Sequence, residues 1–389
     1  MNERLTDEAY ARAAMTYLAE PADRWLGKLI RVLGAAGALD AIKHYQAPAG
    51  GSPRTKAGEA MRAAMDRWRT RLPELPGPEE VLDLRKAGIR LTTPQDPEWP
   101  GQLADLGDDQ PYALWLRGNA DLRFNCLRSV AVVGSRAATA YGSYVAAEFA
   151  ASVAARGLAV ISGGAFGVDA AAHRGALSAG GVTIAVLAGG LDTPYPAAHA
   201  ELFEAIAAQG ALVSEWPPGR NVSRLRFLVR NRVIAALATG TVVVEAAERS
   251  GALNTARHAR DLNRRLMAVP GPVTSDLSAG CHRILRDWQG TLVTSAAEVI
   301  EHLGPLDARP GAATAAPVLP RDQLDLDSAK VLDALPGRGG MGTVRVAQGA
   351  GLSPAATATL LGQLATGGFV ERCDDGWRLR RTGRPACPP

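Results

Sequence analysis

Short apolar runs alternate with longer, mixed stretches between residues 129 and 303. The runs cover residues 130–133, 158–161, 182–187, 211–213, 241–245 and 266–269. Each run is aliphatic or β-branched and lacks polar/apolar alternation, which is typical of strands buried on both faces of a parallel sheet. The intervening stretches are long enough for crossover helices. The pattern therefore predicts an α/β fold of Rossmann-like type, with a doubly wound, mostly parallel sheet.

The rest of the chain divides around this core. Residues 1–80 read as an N-terminal helical region, with Gly34 and Gly37 as expected helix stops, and residues 81–303 as the Rossmann-like domain. Residues 304–326 contain four prolines and predict a linker. In residues 327–389, a helix, a helix-turn-helix and a hairpin follow one another, which is the order of a winged-helix domain.

Composition limits the class of protein. Apolar residues make up 47% and the net charge is +4, an ordinary globular balance with a mild basic excess. The four cysteines have no metal-ligand spacing, so we expect no metal site and a reducing compartment. The first residues lack the apolar core of a signal peptide, and no apolar run reaches membrane-spanning length. We therefore expect a cytoplasmic protein without a membrane span.

Glycine and serine follow four of the predicted strands. The loops are residues 134–139, 162–169, 189–192 and 249–251. The carboxyl ends of parallel strands meet at one edge of a sheet, where ligands bind. Small residues before a helix start leave backbone N–H groups for an anion. Four such loops predict an anionic ligand, whereas any one alone would be explained by a tight turn.

The first loop does not have the sequence of a dinucleotide site. Arg136 stands where GxGxxG requires its second glycine, and its side chain would obstruct a pyrophosphate. No GxxxxGK[ST] stretch is present either. We therefore expect no nucleotide cofactor, and we expect Arg136 to contact a phosphate through its side chain.

A run of arginines lies between Glu215 and Glu245 with no acidic residue among them. Arginine binds phosphate in a bidentate way and stacks on bases, so the run favours binding of a polyanion over a merely solvated face. Phe227 and Asn231 interleave it. The arginines are Arg220, Arg224, Arg226, Arg230 and Arg232.

Candidates for catalysis are few. Asp169 and His173 are spaced for a helix-surface ion pair or a cap, and Asp169 is expected to orient the glycine-rich loop. Glu245, at a strand end, could serve as a general base or a ribose ligand, or could pair with an arginine. The helix expected at residues 353–367 has no lysine or arginine, so we expect the winged helix to contact protein or to be auxiliary.

Five stretches in the order of the chain resemble the DprA/Smf family. They are VAVVGSRAATAYG (130–142), VISGGAFGVDAAAHRGAL (160–177), AVLAGGLDTPYP (185–196), RNRVIAALATGTVVVEAAERSGALNTARHA (230–259) and VPGPVTSDLSAGCHRIL (269–285). The resemblance implies a non-enzymatic, homodimeric protein that binds single-stranded DNA and loads RecA recombinase during natural transformation.

The resemblance and the loops together give one set of DNA contacts. It comprises Gly134, Ser135, Arg136, Ser162, Gly163, Gly164, Phe166, Gly190, Arg230, Asn231, Arg232, Ser250 and Gly251. The chain departs from the family at two of its positions. Phe166 and Ala197 stand where many relatives have a basic residue, which weakens the expected phosphate clamp. Phe166 could stack on a base instead, or pack in the core.

Two rival functions remain open. Related Rossmann-like proteins hydrolyse nucleoside monophosphates, with Glu245 as the acid/base candidate, but their PGGxGT stretch is not found here. The other rival is an interaction scaffold in which the winged helix recruits a partner.

Overall fold

The computed structural model describes residues 5–46, 55–304, 324–336 and 339–380. Two compact units, Met1–Gly311 and Ala312–Pro389, divide the chain. Most of the expected linker, at residues 305–323, lies outside the described residues, and so does the basic tail beyond residue 380.

The N-terminal region is helical, as expected. Its helices are α1 (Asp7–Leu18), α2 (Arg24–Lys43), α3 (Lys56–Arg69) and α4 (Pro78–Asp83). Gly34 interrupts α2 with φ 72° and ψ 170°, but the helix resumes and runs on to Lys43. The Glu8 carboxylate caps the resumed helix by accepting hydrogen bonds from the N–H groups of Ala35 and Ala36. The expectation that Gly34 and Gly37 end the helix was therefore wrong.

A nine-stranded sheet forms the centre of the first unit. Its strands are β1 (Ile89–Thr92), β2 (Leu114–Gly118), β3 (Ser129–Val133), β4 (Ala159–Ser162), β5 (Thr183–Leu187), β6 (Ala211–Ser214), β7 (Gly240–Val243), β8 (Arg265–Ala268) and β9 (Thr291–Leu292). The order is β1-β2-β6-β5-β4-β3-β7-β8-β9. Strands β3 to β9 are parallel, and β1 and β2 add an antiparallel edge. All six strands predicted from the apolar runs are present.

Eight more helices lie in the described part of this unit. They are α5 (Leu122–Leu127), α6 (Ala140–Ala154), α7 (Val168–Ser178), α8 (Ala200–Gln209), α9 (Arg224–Leu237), α10 (Gly251–Asp261), α11 (Ala279–Asp287) and α12 (Ala296–Leu303). Two apolar layers hold them to the sheet. Helices α9, α10 and α11 contribute to one layer, and α6, α7 and α12 to the other. Helices on both faces confirm the doubly wound architecture.

The chain reverses its direction of winding at β3. It passes from β3 to β4 on one side, and later places β7 against the other side of β3. Such a switch point opens a crevice beyond the carboxyl ends of the two flanking strands, because the connections leave in opposite directions. The fold therefore positions a binding crevice above β3 and β7.

The described residues of the second unit form three helices and a hairpin: α13 (Leu326–Asp333), α14 (Thr343–Ala350), α15 (Pro354–Thr366), β10 (Val370–Cys373) and β11 (Gly376–Leu379). A core that includes Val331, Val346 and Leu361 joins the helices. Gly351, with φ 66°, turns the chain between α14 and α15. The order of elements is the one expected from the sequence, and the classification as a winged helix remains a prediction.

Neither a membrane span nor a metal site was expected from the sequence. No helix among the described residues is long and apolar enough to cross a membrane. No cluster of three or more histidine, cysteine, aspartate or glutamate side chains in these ranges is arranged to hold a metal ion.

Candidate nucleic-acid interface

A cavity of about 670 Å³ lies at the carboxyl ends of β3 and β7, where the switch point predicts one. It is bounded by the loops after β3, β4 and β7 and by one face of α9. The lining includes Gly134, Ser135, Arg136, Ala137, Ala165, Asp169, Arg224, Phe227, Leu228, Arg230, Asn231, Arg249, Ser250 and Gly251. Seven of the thirteen residues expected from the sequence are among them.

The loop after β3 is fixed by its neighbour after β7. The Ser135 N–H donates to the Glu245 carbonyl oxygen at 2.7 Å. The Glu245 carboxylate accepts hydrogen bonds from both the N–H and the hydroxyl of Thr139, at 2.9 and 2.6 Å. A Cβ on Gly142 would lie 2.2 Å from that carboxylate, so glycine is required there. Glu245 therefore holds the loop that carries Arg136.

The loop after β4 is supported by a buried carboxylate. Asp169 accepts hydrogen bonds from the N–H groups of Gly163 (3.1 Å) and Ala165 (3.3 Å), which confirms that it orients this loop. Its expected surface ion pair with His173 was wrong. His173 is fully buried and its Nδ1 lies 2.7 Å from the Thr183 hydroxyl. Burial lowers the pKa of His173 to about 3, and the nearby His199, Arg230 and Arg174 side chains add to this.

Arg230 reaches the same loop from α9. Its guanidinium donates to the carbonyl oxygens of Gly163, at 2.7 Å, and Val186. The side chain is only 3% exposed, so it supplies positive charge from the floor of the cavity. Burial lowers the pKa of Arg230 to about 10; Asp169 partly offsets this effect, and Arg136 adds to it.

Arg136 and Arg230 flank the same aromatic ring. Their guanidinium carbons lie 4.5 and 5.8 Å from the centre of the Phe227 ring. Bringing two guanidinium groups together is unfavourable unless an anion shares them. Arg136 and Arg230 together therefore favour the binding of an anion in the cavity.

The cavity lining is strongly cationic. Arg136, Arg224 and Arg249 are exposed on it, and Arg230 lies beneath. Among the described residues that line it, Asp169 alone is acidic. Arg136, Arg224 and Arg249 form no ion pair with a described residue. Exposed, unpaired arginines around a concave surface raise its affinity for phosphate.

Helix α10 contributes its amino end. The Ser250 hydroxyl caps it by accepting a hydrogen bond from the Leu253 N–H at 3.4 Å. Asn231 ties α9 to this end through hydrogen bonds to the Gly251 carbonyl and the Asn254 side chain, both at 3.2 Å. First-turn N–H groups lack partners within a helix and favour an anion. Ser250, Gly251 and Asn231 thus lie where they were expected.

Arg232 was expected to contact DNA, and this expectation was wrong. Arg232 lies in the core, 4% exposed, and donates two hydrogen bonds to the Glu215 carboxylate at 2.8 and 2.6 Å. The arginine run also has acidic partners that are distant in sequence, because Arg226 pairs with Glu20. The absence of acids within the run therefore did not mean that all its arginines were unpaired.

Three other expected contacts are buried away from the cavity. The Ser162 hydroxyl donates to the Val132 carbonyl oxygen at 2.6 Å. Gly164, with φ 69°, has no room for a Cβ because of the Phe203 ring. The Gly190 N–H donates to the Arg220 carbonyl oxygen at 2.8 Å. Three loops therefore line the cavity, rather than four.

Gly163 and Phe166 do not line the cavity, but both belong to the loop that Asp169 orients. Phe166 is 46% exposed and its ring lies 4.6 Å from that of His199. The alternative that Phe166 packs in the core was therefore wrong.

Arg224, Phe227 and Arg249 also line the cavity, although they were not among the thirteen expected DNA contacts. The first two share a face of α9 with Leu228 and Asn231, because the spacing of three, four and seven residues repeats along a helix. Applied to the arginine run, this spacing would have placed Arg224 in the cavity and Arg226 on another face.

The fold and the cavity together define a Rossmann-like protein in which arginines, rather than a GxGxxG turn, occupy the crevice at the switch point. The family model for DNA recombination-mediator protein A matches residues 90–304. The chain belongs to this family, which confirms the DprA/Smf resemblance.

Curated relatives agree. A putative DNA processing protein DprA from Mycobacterium tuberculosis H37Rv is 44% identical over 96% of this chain and 95% of its own length. Protein Smf of Escherichia coli K12 is 43% identical over 54% of this chain and 56% of its own. The chain is thus similar to the first of these proteins over nearly its full length and to the second over about half of it.

Solved structures support the fold. The DNA processing protein A of Streptococcus pneumoniae superposes with a TM-score of 0.60 at 28% identity, covering 77% of this chain and 98% of that one. The Helicobacter pylori protein, described for its single-stranded DNA binding mode, gives a TM-score of 0.50 at 28% identity, covering 55% of this chain and 95% of its own.

Proposed function

We propose that this protein binds single-stranded DNA in the cavity above β3 and β7, with little preference for sequence, and passes it to RecA in recombination. The observation that carries the proposal is the placement of Arg136, Arg224 and Arg249 around one crevice, with Arg230 beneath it. The family's description as a recombination mediator supports the second step.

The groups in the cavity suit a sugar–phosphate backbone. Guanidinium side chains, a helix amino end and glycine-lined loops all bind phosphate oxygens, which carry no sequence information. Arginine can read guanine in a duplex, but it does so from an element inserted in the major groove. The cavity is concave and offers no such element, so sequence-tolerant binding is expected.

The exposed ring of Phe166 favours an unpaired strand over a duplex. Phe166 presents a half-exposed ring on the loop that Asp169 orients, outside the cavity lining. Stacking of a base on an aromatic side chain contributes about 1–3 kcal/mol, and only an unpaired strand can splay its bases outward to use it. A duplex would keep its bases stacked inside and would gain only the phosphate contacts.

The finer parts of the proposal come from the resemblance to the family. We propose that the protein acts as a homodimer in the cytoplasm, that it protects incoming DNA during transformation, and that the second unit is a winged helix with an auxiliary role. The test of RecA loading is the lag before RecA hydrolyses ATP on single-stranded DNA. The protein should shorten this lag, and a variant that cannot bind DNA should not.

Fluorescence anisotropy with labelled dT20 and a duplex of equal length tests DNA binding. The single strand should bind at least tenfold more tightly at physiological salt. Its log affinity should fall with log salt with a slope of about −2 from the three exposed arginines, at roughly −0.7 for each neutralised phosphate. Equal affinity for both DNAs, or binding that salt does not change, would contradict the proposal.

A further inference from the structure

A second exposed surface lies at the opposite, amino edge of the sheet. Helix α5 leads into β3 there, and its Phe124 and Leu127 side chains are 68% and 59% exposed. Leu122 and Cys126 of the same helix are fully buried, so its packing is already satisfied. Phe124 and Leu127 are one turn apart and share a face. Neither side chain is needed for the core, which marks this face as a contact surface.

Four exposed arginines share this edge: Arg123, Arg128, Arg156 and Arg265. Backbone hydrogen bonds bring their chain segments together. The Arg128 carbonyl oxygen accepts from Ala159, three residues after Arg156. Thr239 connects the segment of Leu127 to that of Arg265. Its hydroxyl donates to the Leu127 carbonyl oxygen, and its own carbonyl oxygen accepts from the Arg265 N–H. None of the four arginines forms an ion pair within the described ranges.

Two exposed apolar side chains and four exposed arginines on adjoining segments have the composition of a protein-binding site. Interface centres are enriched in aromatic side chains and arginine, and a few such residues supply most of the affinity. Charge complementarity then requires a partner rich in aspartate or glutamate. An acidic peptide with apolar side chains satisfies both halves of the surface.

Nucleic acid fits this edge less well. Leu127 has no aromatic face on which a base could stack. The features that suit the opposite edge to phosphate, namely helix amino ends and glycine-lined loops, point away from this one.

We propose that the surface formed by Phe124, Leu127 and the four arginines docks an acidic peptide segment of a partner protein, independently of the DNA cavity. The apolar side chains of the peptide cover Phe124 and Leu127, and its carboxylates pair with the arginines.

Fluorescence anisotropy with two labelled twelve-residue peptides tests this surface. One carries four aspartates beside a Leu-Phe pair, and the other has lysine in place of each aspartate. The acidic peptide should bind to the full-length protein, and the lysine peptide should not. Phe124→Ala/Leu127→Ala should weaken binding at least tenfold, and Arg128→Glu should weaken it and reduce its salt dependence. Arg136→Ala, in the DNA cavity, should leave peptide binding unchanged.

Three outcomes would overturn the proposal. The acidic peptide would bind no better than the lysine peptide, or Phe124→Ala/Leu127→Ala would weaken dT20 binding instead, which would assign the surface to nucleic acid. The third outcome concerns the oligomeric state. If sedimentation shows that the wild type is a dimer and that Phe124→Ala/Leu127→Ala is a monomer, the surface binds a second copy of this chain. Circular dichroism of each variant establishes that it is folded.

Discussion

The guanidinium carbon of Arg136 lies 4.5 Å from the centre of the Phe227 ring. Arg136 comes from the loop after β3, and Phe227 from the first half of α9. The Phe227 ring therefore restrains the exposed Arg136 cation through a contact between two elements that line the cavity. A cation held in position loses less side-chain entropy when a phosphate binds.

Arg136→Ala should weaken dT20 binding about tenfold at low salt, because it removes one directed phosphate contact. The slope of log affinity against log salt should become shallower by about 0.7. Salt titrations by anisotropy measure both effects. Arg156→Ala is the matched control, since Arg156 is exposed at the opposite edge of the same sheet. Equal losses in the two variants would mean that only net charge matters.

Phe227→Leu should separate the role of the ring from that of its bulk. Leucine preserves apolar packing on α9 but removes the surface on which Arg136 and Arg230 stack. An exposed cation–π contact contributes about 0.5–1 kcal/mol, so we expect dT20 affinity to fall roughly two- to fivefold. The Tm should change little. An unchanged affinity would show that the ring does not position the arginines.

Gly163→Ala should damage the floor of the cavity. The added Cβ would lie 2.6 Å from the Arg230 guanidinium nitrogens and 2.7 Å from the Asp169 carboxylate. Forced displacement of buried groups costs about 1–3 kcal/mol, so both the Tm and dT20 affinity should fall. Gly101→Ala, with open space around its Cβ, should change neither. A Gly163→Ala protein that behaves like Gly101→Ala would contradict this packing.

Arg232→Ala should lower stability by about 3–5 kcal/mol, because it leaves the buried Glu215 carboxylate without its partner. Replacing both residues, as Arg232→Met/Glu215→Leu, should recover most of that loss. Urea unfolding measures the free energies. The folded double variant should bind dT20 within twofold of the wild type. A large loss of DNA affinity in that variant would return Arg232 to the binding surface.

His173 should make the protein sensitive to acid. Burial lowers its pKa from 6.5 to about 3, so the folded state holds the neutral imidazole. A lowered histidine pKa contributes stability that is fully present above pH 6.5 and is lost as the pH falls from 6.5 towards 3. The loss is about 1.4 kcal/mol for each pH unit, or about 2 kcal/mol by pH 5.

Urea unfolding at pH 7.5 and pH 5 measures this contribution. The wild type should lose about 2 kcal/mol more than His173→Gln between the two values. If both proteins lose the same amount, another group is responsible.

The central sheet could be predicted because its signals are local. Runs such as 130–133 and 241–245 are apolar whatever lies around them, and a strand buried on both faces must be apolar throughout. Arg136 was placed correctly for a related reason. It directly follows a central strand, and strand ends define the ligand edge.

The arginines of α9 could not be sorted by local signals alone. Arg226 and Arg232 pair with Glu20 and Glu215, and the first of these partners is about two hundred residues away in the chain. Only the folded structure shows that these arginines and glutamates are in contact. The helical repeat could have separated Arg224 from Arg226. The position of the Arg230 side chain depends instead on the packing of three elements, because its guanidinium donates to the carbonyl oxygens of Gly163 and Val186.

Hydrogen–deuterium exchange with and without dT20 locates the bound strand on the chain. Binding in the cavity predicts slower exchange of amides in residues 134–139, 163–166 and 249–252, and no change at residues 123–128 on the opposite edge. Protection confined to residues outside the cavity, with those three segments unchanged, would contradict it.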